Sequence, residues 1–234
     1  MRLWKTGHII ADTVADAFID AHPAFDCDLA YGILRGTAEI FKNSDSWFMV
    51  DKGFWNAGHF DGNYRISYKG TQPQYSPLAP HKDHNLTLEP WIDHGGYVLV
   101  CPPTEAVAEF FGVDIEAWIK ENTPLLPHKV RYKTESEPIN WDSVMGVITF
   151  NSSVGWQALQ RGIPCISDTE HSLVGSYYKY HCNKKHVDYN FNSVMHIHRE
   201  QLFRCMSAHQ FTLAEIREGR ANELFEHYLN EQKY

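Results

Sequence analysis

The sequence predicts an α/β protein of two lobes, each built on a mostly parallel sheet, followed by helices at the C-terminal end of the chain. Three observations lead there. Short apolar runs at 29–34, 47–50, 97–101, 147–150 and 163–167, and the segment 129–133 with its basic flanks, read as strands. Segments of helical period lie between them, so strand and helix alternate twice along the chain, and crossover helices of that kind cover both faces of a parallel sheet. With 234 residues, 43% of them hydrophobic, the chain has enough apolar surface for two small Rossmann-like lobes.

The first helix is expected over 11–21, where Val14, Ala15, Ala17, Phe18 and Ala21 make one face and Asp12, Asp16 and Asp20 the other, ahead of Pro23. A strand at 29–34 leads to Arg35-Gly36-Thr37, which opens a helix to Lys42, and 47–50 is a buried strand. Asp51-Lys52-Gly53-Phe54 and a Gly- and Asn-rich stretch to Asn63 follow, at the strand edge where open α/β sheets place ligands. Residues 70–90 are rich in Pro, His and Gln and have no period, the mark of a functional or mobile loop. The second alternation starts with the strand 97–101, capped by Pro102-Pro103-Thr104, and helices over 105–111 and 114–121 parted by Gly112. Strands at 129–133, at Val144 with 147–150, and at 163–167 precede helices over 199–208 and 213–229. The resulting divisions are 1–95, 96–207 and 208–234.

A net charge of -8 argues against an affinity that rests on neutralising a nucleic-acid backbone, though a local basic groove is compatible with it. The five cysteines are scattered and form no C-x-x-C pair, which speaks against a disulfide framework or zinc ribbon and fits a reducing, cytoplasmic setting. The N-terminal segment lacks a continuous apolar stretch, so neither a signal peptide nor a membrane span is expected. Fourteen histidines include His181 beside Cys182, His186, and His196-Ile197-His198, but none has the spacing of a known ligand set, and no metal is expected. Dinucleotide and P-loop glycine motifs are absent, so no cofactor is expected either. An aromatic share of 14% suits a cleft that stacks planar or sugar-like ligands as well as it suits a core.

Residues 147–167 are the most informative: Val147-Ile-Thr-Phe-Asn-Ser-Ser-Val-Gly-Trp-Gln-Ala-Leu-Gln-Arg-Gly-Ile-Pro-Cys-Ile-Ser167 reads as strand, tight turn, short helix and strand. Ser152 or Ser153 can cap the helix, Gly162 suits the left-handed position that ends it, and Pro164 prevents its continuation. Two hydroxyls at a helix start beyond a strand's carboxyl end would suit a phosphate. The plain alternative is an ordinary capped helix.

This segment resembles the donor-site signature of capsule-polysaccharide transferases of the Kdo-transferase type, and of related phage-encoded glycosyltransferase-like proteins: a serine pair, Ala-Leu, then Gly-x-Pro. His128-Lys-Val-Arg-Tyr-Lys133 resembles the basic strand before that signature, residues 210–219 a C-terminal segment of the phage relatives, and Val50-Asp-Lys-Gly-Phe54 the acidic-Gly-aromatic motif. The resemblance implies a GT-B-like fold and metal-independent sugar transfer from a nucleotide sugar. Residues 1–95 would be the acceptor lobe and 96–207 the donor lobe, with Asn151, Ser152 and Ser153 at the donor phosphate and Arg131 and Lys133 assisting. Asp51 would act in catalysis, with His59, Asp61 and Arg65 on the acceptor side. The acceptor would be a surface glycan or, with base flipping, a modified base in phage DNA, which would place the protein in the host cytoplasm. The family pattern carries a second acidic residue beside the Asp or an Arg soon after the aromatic; here Lys52 and Asn56 stand instead. Two competing expectations stay open: a non-catalytic nucleotide or nucleotide-sugar binder on the same fold, and an assembly scaffold that binds no nucleotide.

Overall fold

A computed structural model describes residues 1–21, 24–92, 95–182, 191 and 198–231. The chain divides into two compact units, Met1–Asp83 with Arg204–Tyr234, and His84–Phe203.

In the first unit the strands β1 (Arg2–Trp4), β2 (Asp28–Tyr31), β3 (Trp47–Lys52), β4 (Asn63–Tyr68) and β9 (Gln210–Thr212) lie side by side in that order. The first three are parallel, joined by α1 (Ile9–Ala21) and α2 (Thr37–Lys42); β4 runs antiparallel to β3, and β9 antiparallel to β4. The expected apolar face of α1 is the buried one, Val14, Ala15, Ala17 and Phe18 all lying inside. Central position explains why β3 reads as an unbroken apolar run: Trp47, Phe48, Met49 and Val50 are all buried. The C-terminal helices α8 (Leu213–Arg217) and α9 (Asn222–Glu231) complete this core. Phe225 of α9 makes edge contacts with Phe18 at 5.7 Å and Phe48 at 4.4 Å. The expected single helix over 213–229 is broken because Gly219 takes a positive φ of 75°.

The second unit holds a wholly parallel sheet of order β6-β5-β7-β8, made from β5 (Tyr97–Cys101), β6 (His128–Val130), β7 (Val144–Thr149) and β8 (Cys165–Ser167). Helices α3 (Glu105–Phe111) and α4 (Ile115–Asn122) link β5 to β6, α5 (Val154–Gln160) links β7 to β8, and α6 (Leu173–Cys182) follows. The caps are those the residues favour, with Thr104 Oγ1 accepting from the Val107 N–H and Asp114 Oδ1 from the Ala117 N–H. At the end of α5, Gly162 is left-handed at φ 72°, with the N–H groups of Ile163 and Gly162 bonded to the carbonyls of Ala158 and Leu159. That is the paired closure a C-terminal glycine permits. Helix α7 (Arg199–Ala208) contains the 203/204 boundary between the units.

The α/β class is as expected, while the first sheet is mixed rather than mostly parallel. Its strand β9 went unread because three residues inside a predominantly helical stretch carry no period of their own. The divisions at 95 and 207 give way to 83 and 203, and residues 208–234 join the first unit, since β9 pairs with β4 and α9 packs on its core.

Candidate functional site

Open parallel sheets bind ligands outside the carboxyl ends of their strands, where the strand order reverses. In the second unit that point lies between β5 and β7: the chain leaves β5 for β6 on one side and resumes at β7 on the other. Four strand ends meet this edge, followed by Thr104 after β5, Arg131 after β6, Asn151 to Ser153 after β7, and Asp168 to His171 after β8.

The turn after β7 is built from its own side chains. Thr149 Oγ1 accepts from the Ser152 N–H at 3.0 Å, and Ser152 Oγ accepts from the Val154 N–H at 3.3 Å. Ser153 occupies the N-cap position of α5 with helical dihedrals of -59° and -21° and makes no cap bond, because a capping side chain needs an extended backbone. It is exposed, and among the described residues neither its N–H nor its hydroxyl has a hydrogen-bond partner. The N–H of Thr104, across the crevice on the β5 side, is likewise without a partner among them. Of the two serines, Ser152 is occupied as an acceptor and keeps only its own O–H to give, whereas Ser153 offers two donors.

Arg131 and Lys133 were expected to alternate along a strand, but β6 ends at Val130. The ladder explains the stop. Val98 donates to Pro127, and the same two-residue stepping would make position 102 the donor to Arg131, where Pro102 has no N–H. The Arg131 guanidinium instead donates to the carbonyls of Glu135 at 3.2 Å and Glu137 at 2.6 Å, and Lys133 is exposed in the loop. Cys101, buried at the end of β5, has its thiol pushed up to about 12 by burial, against a smaller opposing effect of the Arg131 charge.

In the first unit, Asp51, Arg65 and Gln210 stand directly opposite one another on β3, β4 and β9, which puts all three on one face. Arg65 donates from Nη2 to Asp51 Oδ2 at 2.7 Å and to the Thr71 carbonyl at 3.2 Å, and from Nη1 to the Lys52 carbonyl at 3.2 Å. Its guanidinium lies 5.5 Å from the centre of the Phe54 ring. Asp51 Oδ1 accepts from the Lys52 N–H at 2.8 Å, so both carboxylate oxygens are engaged, each with one lone pair to spare. Gln210 Oε1 accepts from the N–H groups of Phe54 at 2.5 Å and Trp55 at 3.2 Å, fixing the turn beyond Asp51. Gly53 is needed there, since a Cβ would fall 2.7 Å from the Asn63 carbonyl oxygen and 2.8 Å from Gln210 Oε1. Burial, and then the nearby Asp51 charge, push the Tyr31 phenol well above its ordinary range. His59 and Asp61 are exposed; the hydroxyl of Tyr64 holds the backbone carbonyl of His59 and leaves its ring outside the row.

Compared with protein-family models, curated proteins and solved structures, the chain has no significant match.

The acidic-Gly-aromatic stretch and the 210–219 segment, far apart in sequence, thus meet in one row through Gln210. Gln210 opens the 210–219 segment but is not expected from the sequence as a site residue, because its partners on β4 and in the turn after β3 are remote in the chain, Phe54 and Trp55 lying 156 and 155 residues away. Among the described residues no three His, Cys, Asp or Glu side chains gather as a metal site, and no helix is long and apolar enough to cross a membrane. His181 has its pKa lowered by burial and then by neighbouring His198, whereas His186 and His196 lie outside the described residues.

Proposed function

We propose that the second unit binds a phosphate-bearing nucleotide, and that the chain is a glycosyltransferase for which this is the nucleotide-sugar donor site. The observation that carries the binding step is the pairing of a strand-order reversal with unengaged donors: the Ser153 N–H and hydroxyl and the Thr104 N–H. Preorganised backbone and hydroxyl donors need no reorganisation to receive a phosphate, and they act where an anion would otherwise lose its water. At seven residues α5 carries a small dipole, so the discrete donors matter more than the helix field.

The transfer step extends this reading through the resemblance of the serine-pair segment to capsule-type and phage transferases, and with it a GT-B-like pair of lobes. Asp51 is then the candidate base for the acceptor hydroxyl, whether of a glycan or of a modified DNA base. One observation favours the second reading, a nucleotide or nucleotide-sugar binder without transfer: both oxygens of Asp51 are already engaged, one by Arg65 and the other by the Lys52 N–H.

A thermal-shift panel of nucleotides and nucleotide sugars tests the binding step, because a ligand of the native state raises apparent stability by about 2.7 kcal/mol at a hundredfold excess over its Kd. The expected outcome is a shift with one nucleotide class that is clearly reduced in the Ser152→Ala/Ser153→Ala double variant, which removes the hydroxyls and keeps the backbone donors. No shift with any ligand would favour a scaffold role. Where a donor binds, product formation abolished in Asp51→Asn with donor affinity retained marks an enzyme; binding without turnover in the wild type marks the binder.

A further inference from the structure

We propose that the ring pair Phe111 and His171 forms the wall that receives the base of the bound nucleotide, which makes this edge selective for a nucleotide over a bare sugar phosphate. This rests on the reading of the β5–β7 edge as a phosphate site. The ring of His171, in the segment after β8, stacks on Phe111 at the end of α3 with 4.1 Å between centroids and 22° between planes. Phe150, the residue between β7 and the serine turn, lies 5.0 Å from His171 and 6.0 Å from Phe111.

Alternation at the strand end sets the two chemistries on opposite sides. Thr149 faces α5, its methyl 3.1 Å from where a Cβ on Gly155 would stand, whereas Phe150 faces the rings of Phe111 and Trp118. A ligand whose phosphate meets Ser153 therefore has an aromatic wall on the other side of the same strand end.

His171 is held without its polar edge being used. Its backbone N–H is bonded to Asp168 Oδ1 at 2.9 Å and its ring is fixed by the stack. Neither ring nitrogen has a hydrogen-bond partner among the described residues, and both His171 and Phe111 are only half-buried. A half-buried ring of this kind leaves its nitrogens open to solvent or to an incoming ligand. Here the face supplies stacking for any base, and the nitrogens supply a donor and an acceptor for one base edge.

The test is calorimetric titration of the intact protein with CMP, UMP, AMP and GMP, with ribose 5-phosphate as the base-free control. At least one nucleotide should bind about tenfold or more tightly than ribose 5-phosphate, the gain expected of one stacked base. His171→Ala should bring that ratio close to one while leaving the affinity for ribose 5-phosphate unchanged, which also reports that the variant folds. His171→Phe should keep the preference for a base and lose the discrimination between bases. The inference is overturned if ribose 5-phosphate binds as tightly as every nucleotide, or if the ratio in His171→Ala equals that of the wild type; in either case the phosphate site itself stands. If none of the five compounds binds, the nucleotide reading falls and this inference with it.

Discussion

His209 shows how far a single residue's state is set by its surroundings. It is fully buried; the Cys205 carbonyl can only accept, so Nδ1, 2.7 Å away, carries the proton and Nε2 faces the Tyr228 hydroxyl at 2.7 Å. Burial, opposed by the Cys205 hydrogen bond and helped by His227 and His81, lowers its pKa to about 4. The folded ring therefore stays neutral over a range in which an unfolded histidine, of pKa about 6.5, takes up a proton. The stability this contributes is fully present above about pH 6.5 and is lost as the pH falls toward about 4, by about 3 kcal/mol in all. Urea unfolding at pH 7 and pH 4.5 should show a larger loss for the wild type than for His209→Gln. Equal losses would mean that the acidic side chains set the pH dependence and that His209 does not. Nothing in the sequence marks this histidine among fourteen, because what lowers its pKa is neighbours gathered from remote parts of the chain.

At the scale of elements, the end of α5 combines two constraints that the sequence shows only in part. Gly162 needs its positive φ of 72°, and that much follows from its place between a helix and Pro164. The second constraint is tertiary: a Cβ there would lie 1.8 Å from the Pro90 carbonyl oxygen, in the segment whose Glu89 and Ile92 N–H groups bond to the Gln160 and Gly162 carbonyls. Gly162→Ala should destabilise by about 2–4 kcal/mol, summing backbone strain and an overlap that backbone atoms cannot easily relieve. Gly112→Ala isolates the first contribution, since its φ is 68° and nothing lies within 4 Å of the added atom; about 1 kcal/mol is expected there. Thermal unfolding of the two variants measures the difference, and equal shifts would mean that the segment at Pro90 yields. The carboxyl-edge site is an element-scale feature of the same kind. Its serine pair and helix start were legible at residues 152–160, whereas the identity of the unengaged serine depends on the Thr149 and Ser152 bonds that turn the chain.

For the whole molecule, the C-terminal segment is what makes the first unit complete. Residues 204–234 return to the unit that begins at Met1, supplying the edge strand β9 and the helix carrying Phe225. A chain ending at Ala208 would lose Gln210 from the Asp51–Arg65 row and uncover Phe18 and Phe48. Hydrogen exchange on that truncated chain should show protection lost across β2 and β3 but retained in β5 and β7, whose unit is left whole. Loss of protection in both units would mean that the two fold as one.

The sequence by itself determined the α/β class, the parallel second sheet and the strand–turn–helix signature at residues 147–167, because period, caps and glycine positions act over a few residues. It also marked Asp51 and Arg65 as polar residues at a strand edge. Only the tertiary structure decided that they share a row with Gln210, that β6 stops before Arg131, that the strand order reverses between β5 and β7, and that Phe111 meets His171. The reason is physical: local pattern selects which elements form, but strand order and cross-strand register depend on burying all the apolar faces together, and that choice is made between segments remote in the chain.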